Sequence, residues 1–321
     1  MYYYPNFLGG KRSKMEKYFR KNQSYAIGNP NRHPIKNCVF KFPVDISFGS
    51  TKPSEQHILR LNDPFGLKIS GSKTQTKNAI KDYCPIVEKY NYATRYILTN
   101  TTRYDLLEEE IGFPFVAKLI YGFGGKGMYF IKSLDDLNIF IEAIPKHDIR
   151  KYFFESLYDF NIEYRIHVSP LLVGLAVTYK FEYGVKNENG LYELRAGRIS
   201  TRNNGEIFSV EKRVPPGHVG TRNFNEGIMF NSNFIRPACW EEMVTASLKA
   251  AELLKLDFCC TDILYNSTTN KFVISETNTN PGMDNVAGNP AKNITAQHYQ
   301  QAFPLMITQK YIKSCVVSSQ P

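Results

Sequence analysis

The sequence predicts an α+β protein built mainly on antiparallel sheets. Three observations lead there. Short apolar runs bounded by glycine and proline read as strands, and consecutive runs are joined by turn-like segments. Helical periodicity is confined to a few separate stretches. Composition suits a folded chain: of 321 residues 42% are hydrophobic and 22% charged, with 21 Tyr and 22 Phe, enough to bury a substantial core.

Residues 1 to about 75 are rich in Asn, Lys, Pro and Tyr, and Pro30, Pro34, Pro43, Pro53 and Pro64 punctuate them. Only short strands and turns are expected there, forming a small, irregular leading domain over 1–72. A helix is predicted over 73–89, then a buried strand over 113–120. Gly122-Phe-Gly-Gly-Lys-Gly127 is a turn, followed by a strand over 128–131. Ser133 can cap the next helix with Asp136 at the capping-box position. Leu134, Leu137, Phe140 (or Ile141) and Ile144 give that helix one apolar stripe. Strands follow over 152–157, 163–169 and 171–183. The polar, glycine-punctuated stretch 195–216 reads as a loop or irregular strand. In the helix over 241–256, Val244, Leu248, Ala251 and Leu254 (or Leu253) share a face. Strands over 258–265 and 271–277, joined by Asn266-Ser-Thr-Thr-Asn270, close the unit as a hairpin.

The net charge of +10 is uneven, with Lys11, Arg12, Lys14, Lys17, Arg20 and Lys21 crowding the start. No zinc finger, basic zipper or aromatic–basic RNA motif accompanies them, so no nucleic-acid partner is predicted and the segment reads as solvated. The six cysteines are scattered without a CxxC pair, as expected of reduced thiols in a cytoplasm. The amino terminus has no apolar signal-peptide region, and no run approaches the ~18 apolar residues of a membrane span. A soluble chain with no membrane partner is expected.

The chemistry begins with three polar residues near the end. Asp262 lies on one predicted strand, and Glu276 and Asn278 lie two apart on the next, hence on one face. If the strands form a hairpin, Asp262 faces them. Two carboxylates and an amide oxygen suit Mg²⁺, which takes oxygen ligands and adds nucleotide phosphates. Upstream, Lys118 ends an apolar strand, where a buried cation needs an anion. The glycine turn beside it, with Gly124, Gly125, Lys126 and Gly127, lets backbone N–H groups approach phosphate.

Val273-Ile-Ser-Glu-Thr-Asn-Thr-Asn-Pro-Gly-Met283 closely resembles the metal-binding strand of ATP-grasp enzymes, usually written E-x-N-x-x-P-G. Cys260-Thr-Asp-Ile263 is similar to the strand before it. The resemblance covers roughly residues 70–290 and implies an ATP-grasp fold, with two α+β lobes gripping ATP over 73–157 and 158–321. It implies that Asp262, Glu276 and Asn278 bind the metal, Mg²⁺ with Mn²⁺ as an alternative, and that Lys118 and the glycine loop hold phosphate beneath a closing lid. Tyr152-Phe-Phe-Glu-Ser-Leu157 resembles the hinge between the lobes. Glu155 and the backbone after it, Ser156 and Leu157 (or Tyr158), would meet adenine, and Glu163 the ribose. An earlier lysine reaching the α-phosphate is matched by Lys73 better than by Lys77. Several amide-forming members carry an arginine facing the transferred phosphate where this chain has Arg198 and Arg202, with Arg195 behind and Lys180 assisting. Others carry an arginine two residues before the metal-binding aspartate, where this chain has Cys260. His167 and His218 take no role.

The implied reaction activates a carboxylate as an acyl phosphate and joins it to an amine, giving an amide, ADP and phosphate. The partners implied are ATP and small-molecule or peptide substrates bearing those groups. Among subfamilies the chain looks most like peptide or amino-acid ligases, including phage-type carboxylate–amine ligases. Biotin-carboxylase relatives fit less well, because the leading domain is small. Homodimers are common in the family. Two alternatives stay open. One is an ATP-grasp kinase acting on a hydroxyl of an anionic molecule, as inositol phosphate kinases do, which Arg195, Arg198, Arg202, Lys212 and Arg213 would suit. The other is a catalytically silent nucleotide-binding module.

Overall fold

The computed structural model describes residues 2–8, 41–47, 59–81, 95–97, 105–122, 127–145, 148–175, 177–201, 204–213, 229–280 and 294–318. Strands β1 (Tyr2–Leu8), β2 (Lys41–Ser47) and β3 (Leu59–Leu61) form a parallel sheet in that order. Helices α1 (Pro64–Ser70) and α2 (Lys73–Lys81) follow. The expectation of only strands and turns before residue 73 is corrected by α1. Pro64 starts that helix at a position where its missing N–H costs nothing, and the Asp63 side chain caps it by accepting from the Phe65 amide at 2.8 Å. The predicted helix over 73–89 is described as far as Lys81.

A four-stranded antiparallel sheet has the order β4 (Arg95–Ile97), β7 (Tyr152–Ser156), β5 (Phe115–Leu119), β6 (Tyr129–Ile131). Helices α3 (Asp105–Glu110) and α4 (Leu134–Ala143) belong to the same part of the chain. Ser133 caps α4 as expected, accepting from the Asp136 amide at 3.3 Å. Leu137, Phe140 and Ile144 are buried with Phe115, Ala117 and Phe154, whereas Leu134 is half exposed and leaves the predicted stripe. It sits at the first helical position, a turn short of the packed face.

The five-stranded antiparallel sheet has the order β12 (Met229–Asn231), β11 (Asn204–Arg213), β8 (Ile162–Val173), β13 (Cys259–Asn266), β14 (Lys271–Asn278). The two strands expected over 163–169 and 171–183 are divided differently. β8 runs through Pro170 to Val173, and the chain turns at Gly174, whose φ of +84° favours glycine. It then re-enters as β9 (Val177–Lys186), paired with β10 (Tyr192–Thr201) in a two-stranded sheet. The stretch read as a loop or irregular strand over 195–216 holds most of β10 and all of β11. Their regular extent comes from pairing with β9 and β8, a tertiary effect.

Helix α5 (Trp240–Leu253) covers one face of this sheet, burying Met243, Val244, Ala246 and Ala250 against Tyr164, Ile166, Val168 and Ile263. Helix α6 (Ile294–Ser318) packs Tyr299, Ala302, Phe303, Met306 and Ile307 against Val44, Ile46 and Leu61 of the leading sheet and Phe208, Val210 and Phe258. A buried polar junction completes the attachment. Asn62, with φ +61°, donates to the Ser47 and Phe258 carbonyls and accepts from the Asp257 and Phe258 amides. Its own amide reaches Asp257 Oδ2 at 2.8 Å, and Lys310 of α6 holds the same carboxylate at 2.7 Å. Replacing Asn62 by leucine should cost about 3 kcal/mol, because several buried groups lose partners worth ~1–3 kcal/mol each. Urea unfolding followed by circular dichroism would measure it.

Candidate active site

One face of the central sheet carries a buried row of charges. Alternation on β8 puts Glu163, Arg165 and His167 on that face, while Tyr164, Ile166 and Val168 face α5. The register sets Asp262 directly across from Arg165 on one side and from Glu276 on the other, with Asn278 two residues along β14. Lys212 of β11 stands across from Glu163. Asp262, 5% exposed, is held by Arg165 through Nε at 2.7 Å and Nη2 at 2.9 Å, a two-pronged contact. Lys212 lies 3.1 Å from Asp262 Oδ2 and also pairs with Glu163. The Asn278 amide donates to Asp262 Oδ2 at 3.3 Å.

Burial opposes the charge on Asp262, but Arg165 and Lys212 outweigh it and hold the carboxyl well below the usual carboxylate range. Burial, helped by Asp262, raises Glu163 in spite of Lys212. Cys260, on the same face, is pushed up to about 12 by burial and is a thiol rather than a thiolate. Burial first, and then Arg165, holds His167 down at about 3, so it is neutral and accepts or donates one hydrogen bond with Tyr299 OH at 3.1 Å.

A second cluster lies where α2 meets the four-stranded sheet. The Lys73 amide donates to Ile120 O at 3.2 Å, pinning the start of α2 to the end of β5. Lys73 and Lys77 are one turn apart on α2 and share a face. Lys77, 3% exposed, lies 2.6 Å from Glu155 Oε2, and Lys118 of β5 pairs with Glu155 Oε1. Lys73 Nζ lies 3.8 Å from Glu276 Oε1 and so links the two clusters. Burial alone would raise the Glu155 carboxyl; Lys118 and Lys77 instead hold it at about 2. Burial lowers Lys73, with Glu276 opposing and Lys118 adding to the effect.

The structure thus brings together Lys73, Lys118, Glu155 and Glu276 in one linked set, and Glu163, Asp262 and Asn278 in another. Ser156 ends β7, and the Leu157 amide after it donates to Pro114 O at 3.2 Å. Gly127 has φ +67°, and a Cβ there would meet Leu119 Cδ1 at 2.7 Å, so this end of the turn requires glycine. Gly124, Gly125, Lys126, Arg202 and His218 lie outside the described residues, as do the basic segment 11–21 and Pro281-Gly282-Met283. Arg195 and Arg198 are exposed on β10, in the two-stranded sheet and not in the sheet that carries Asp262, with Arg198 in register with Lys180.

Arg165 and Lys212 are the charged residues that sequence reasoning did not put at Asp262. The alternation Glu163-Tyr-Arg165-Ile-His167-Val168 was the available sign: one apolar face and one charged face on a central strand. Among the described residues no group of three or more His, Cys, Asp or Glu side chains is gathered as a metal site. Asp262, Glu276 and Asn278 nevertheless stand at one register position: two carboxylates, and an amide whose NH2 group donates to Asp262 Oδ2 and whose carbonyl is the donor a hard cation would take. Their chemistry fits a hard cation such as Mg²⁺.

No protein-family model matches the chain, and no curated protein does. Solved structures do. The chain is similar to D-alanine–D-alanine ligase from Bacillus anthracis complexed with ATP, at 13% identity and TM-score 0.55, covering 97% of this chain and 98% of that one. It is also similar to VanG D-Ala:D-Ser ligase from Enterococcus faecalis, at 12% identity and TM-score 0.53, over 85% of this chain and 75% of that one. The chain has the ATP-grasp fold. A third ATP-grasp neighbour is N5-carboxyaminoimidazole synthase from Aspergillus clavatus with ADP and 5-aminoimidazole ribonucleotide, at 12% identity and TM-score 0.51, over 86% and 69% of the two chains. Against an ADP-bound N5-carboxyaminoimidazole ribonucleotide synthetase, the chain spans 54% of that structure's length. No described helix is long and apolar enough to cross a membrane.

Two outcomes follow for the ion clusters. Arg165→Met should destabilise the protein by about 3–5 kcal/mol, because it strands a buried carboxylate, and urea unfolding would register the loss. Acid should weaken the fold in two stages. Below about pH 6.5 the unfolded chain takes up protons that His167 and His298, both held at about 3 by burial, do not. Below about 4.5 the stabilisation from Glu155, whose folded value is about 2, is lost in turn. Urea midpoints measured against pH should show Glu155→Gln shrinking only the second stage, the remainder of which comes from Asp262.

Proposed function

We propose that this chain is an ATP-dependent ligase that activates a carboxylate as an acyl phosphate and joins it to an amine, producing an amide or peptide bond, ADP and phosphate. The observation that carries the reading is the meeting of two sets of groups. Lysines from α2 and β5 approach an acid–amide set on β13 and β14, linked by Lys73 to Glu276 at 3.8 Å. Cations beside an oxygen-donor cluster suit a polyphosphate with its metal. The ATP-grasp fold adds weight, since the D-alanine–D-alanine ligase to which the chain is similar holds ATP and is named for a ligation.

In this reading Lys73, Lys118 and the turn at Gly124–Gly127 neutralise the nucleotide phosphates. The backbone of Ser156 and Leu157 and the region of Glu163 receive the nucleoside. Asp262, Glu276 and Asn278 would hold Mg²⁺ or Mn²⁺, whose positive charge would offset that of the phosphates. Arg165 and Lys212 orient Asp262 and add positive potential where the phosphoryl group transfers, so their work is electrostatic. Arg198 and Arg202, with Lys180 assisting, are the further cations offered to the transferred phosphate. The substrate carboxylate attacks the γ-phosphorus, ADP leaves, and an amine then displaces phosphate from the acyl carbon. The chain divides in this reading into a leading segment 1–72, a lobe 73–157 and a lobe 158–321, working in the cytoplasm.

The test is incubation of purified protein with Mg·ATP and pools of amino acids and short peptides, with nucleotide and acceptor masses followed. ADP, free phosphate and an amide should form. Glu276→Gln should slow them at least about a hundredfold, and chelation should stop them until Mg²⁺ or Mn²⁺ is returned. A phosphorylated hydroxyl acceptor would instead identify a kinase, and absence of ATP binding would overturn the nucleotide reading.

A further inference from the structure

We infer that Glu155 is a positioning residue for a pair of phosphate-binding lysines, and that Lys77 is the second member of that pair. The inference rests on the ATP-binding reading above and changes the part that Glu155 plays in it. The resemblance implies that this glutamate meets adenine, whose exocyclic amine would donate to its carboxylate. Here each oxygen already holds a lysine: Lys118 on Oε1 and Lys77 at 2.6 Å from Oε2, with the carboxylate 5% exposed. A neutral amine donating to either oxygen would compete with an ammonium group for it, and a charge-assisted contact is the stronger of the two.

The balance of charge points the same way. One carboxylate serves two ammonium groups, and Lys73, a turn before Lys77 on α2, adds a third cation whose nearest acid is Glu276 at 3.8 Å. Among the described residues the printed ion pairs set three lysines against two glutamates in a largely buried place. A buried excess of charge is costly until an opposite charge arrives. A polyphosphate supplies that charge, whereas a purine base does not.

Geometry explains why a glutamate is used. Lys77 and Lys118 come from different elements, α2 and β5, and long lysine side chains lose much rotamer freedom when fixed. Glu155 lies on β7, directly beside β5 in the sheet, with its carboxylate between them. The pinning of the α2 start to Ile120 O fixes the helix from which Lys77 reaches in. One carboxylate therefore sets two ammonium groups in advance, which lowers the ordering cost when phosphate binds.

The experiment measures binding of ATP, GTP, adenosine and inorganic triphosphate, each with Mg²⁺, to the full chain and to Glu155→Gln, Glu155→Asp, Lys77→Met and Lys77→Arg. Glu155→Gln should weaken ATP and triphosphate alike by about tenfold, with adenosine affinity and the ATP:GTP ratio unchanged within about twofold. Glu155→Asp should restore part of the loss. Lys77→Met should reproduce the same pattern and Lys77→Arg should not, so the pair of Lys77 variants decides the matter even where Glu155→Gln fails to fold. A collapsed ATP:GTP ratio with triphosphate binding intact would make Glu155 a reader of the base and overturn the inference. Tighter triphosphate binding in Glu155→Gln would overturn it too, since that marks a competing negative charge and no positioning. If the unaltered chain binds adenosine but neither ATP nor triphosphate, the inference falls; if it binds none of the four, the ATP-binding reading itself falls.

Discussion

The buried ion cluster around Asp262 constrains much of the central sheet. A carboxylate taken out of water is tolerated only with its partners in place, and these come from two further strands: Arg165 from β8 and Lys212 from β11. A slip of one residue in any of these strands would turn its charged face toward α5 and its apolar face toward the cleft. The register is therefore over-determined, by Tyr164, Ile166 and Ile263 packing on α5 on one side and by charge pairing on the other. Glu276 and Asn278 join Asp262 because β14 pairs in the same register.

The second cluster depends on the first only through Lys73. Its own frame is the β5–β7 pairing, which brings Lys118 beside Glu155, and the attachment of α2 to the end of β5. The four-stranded and five-stranded sheets have separate buried clusters, α2 joining the second through Ile80, and Lys73 meets Glu276 at 3.8 Å between the two ion sets. Helix α6 and the Asn62–Asp257–Lys310 junction tie the leading sheet to the central sheet on the face opposite α5. The helix thereby covers one end of the charged face, where His167 is buried on Tyr299 and serves the packing.

Wherever a residue's part depends on its own strand and turn, the sequence was enough. Alternation put Glu276 and Asn278 on one face, the Asn266–Asn270 turn made β13 and β14 a hairpin, and Asp262 then had to face Glu276. Ser133 started α4 where capping chemistry said it would. Helix α6 was not predicted, although Tyr299, Ala302, Phe303, Met306 and Ile307 recur at helical spacing; Pro304 lies among them.

What only the tertiary structure decided is which distant residues share a low-dielectric place. Nothing local in the sequence says that Arg165 and Lys212 meet Asp262, or that Glu155 holds Lys77 as well as Lys118. Those contacts join strands and helices far apart in the chain, and long-range pairing obeys sheet order and register, which local patterns do not encode. The regular extent of β10 and β11 was hidden for the same reason: their polar residues have little intrinsic preference for extended structure, and hydrogen bonding to β9 and β8 supplies it. The sequence by itself determined the residue types that a phosphate-and-metal chemistry needs and their order along the chain. The fold decided how those charges are paired, because the cost of burying a charge depends on what surrounds it in space.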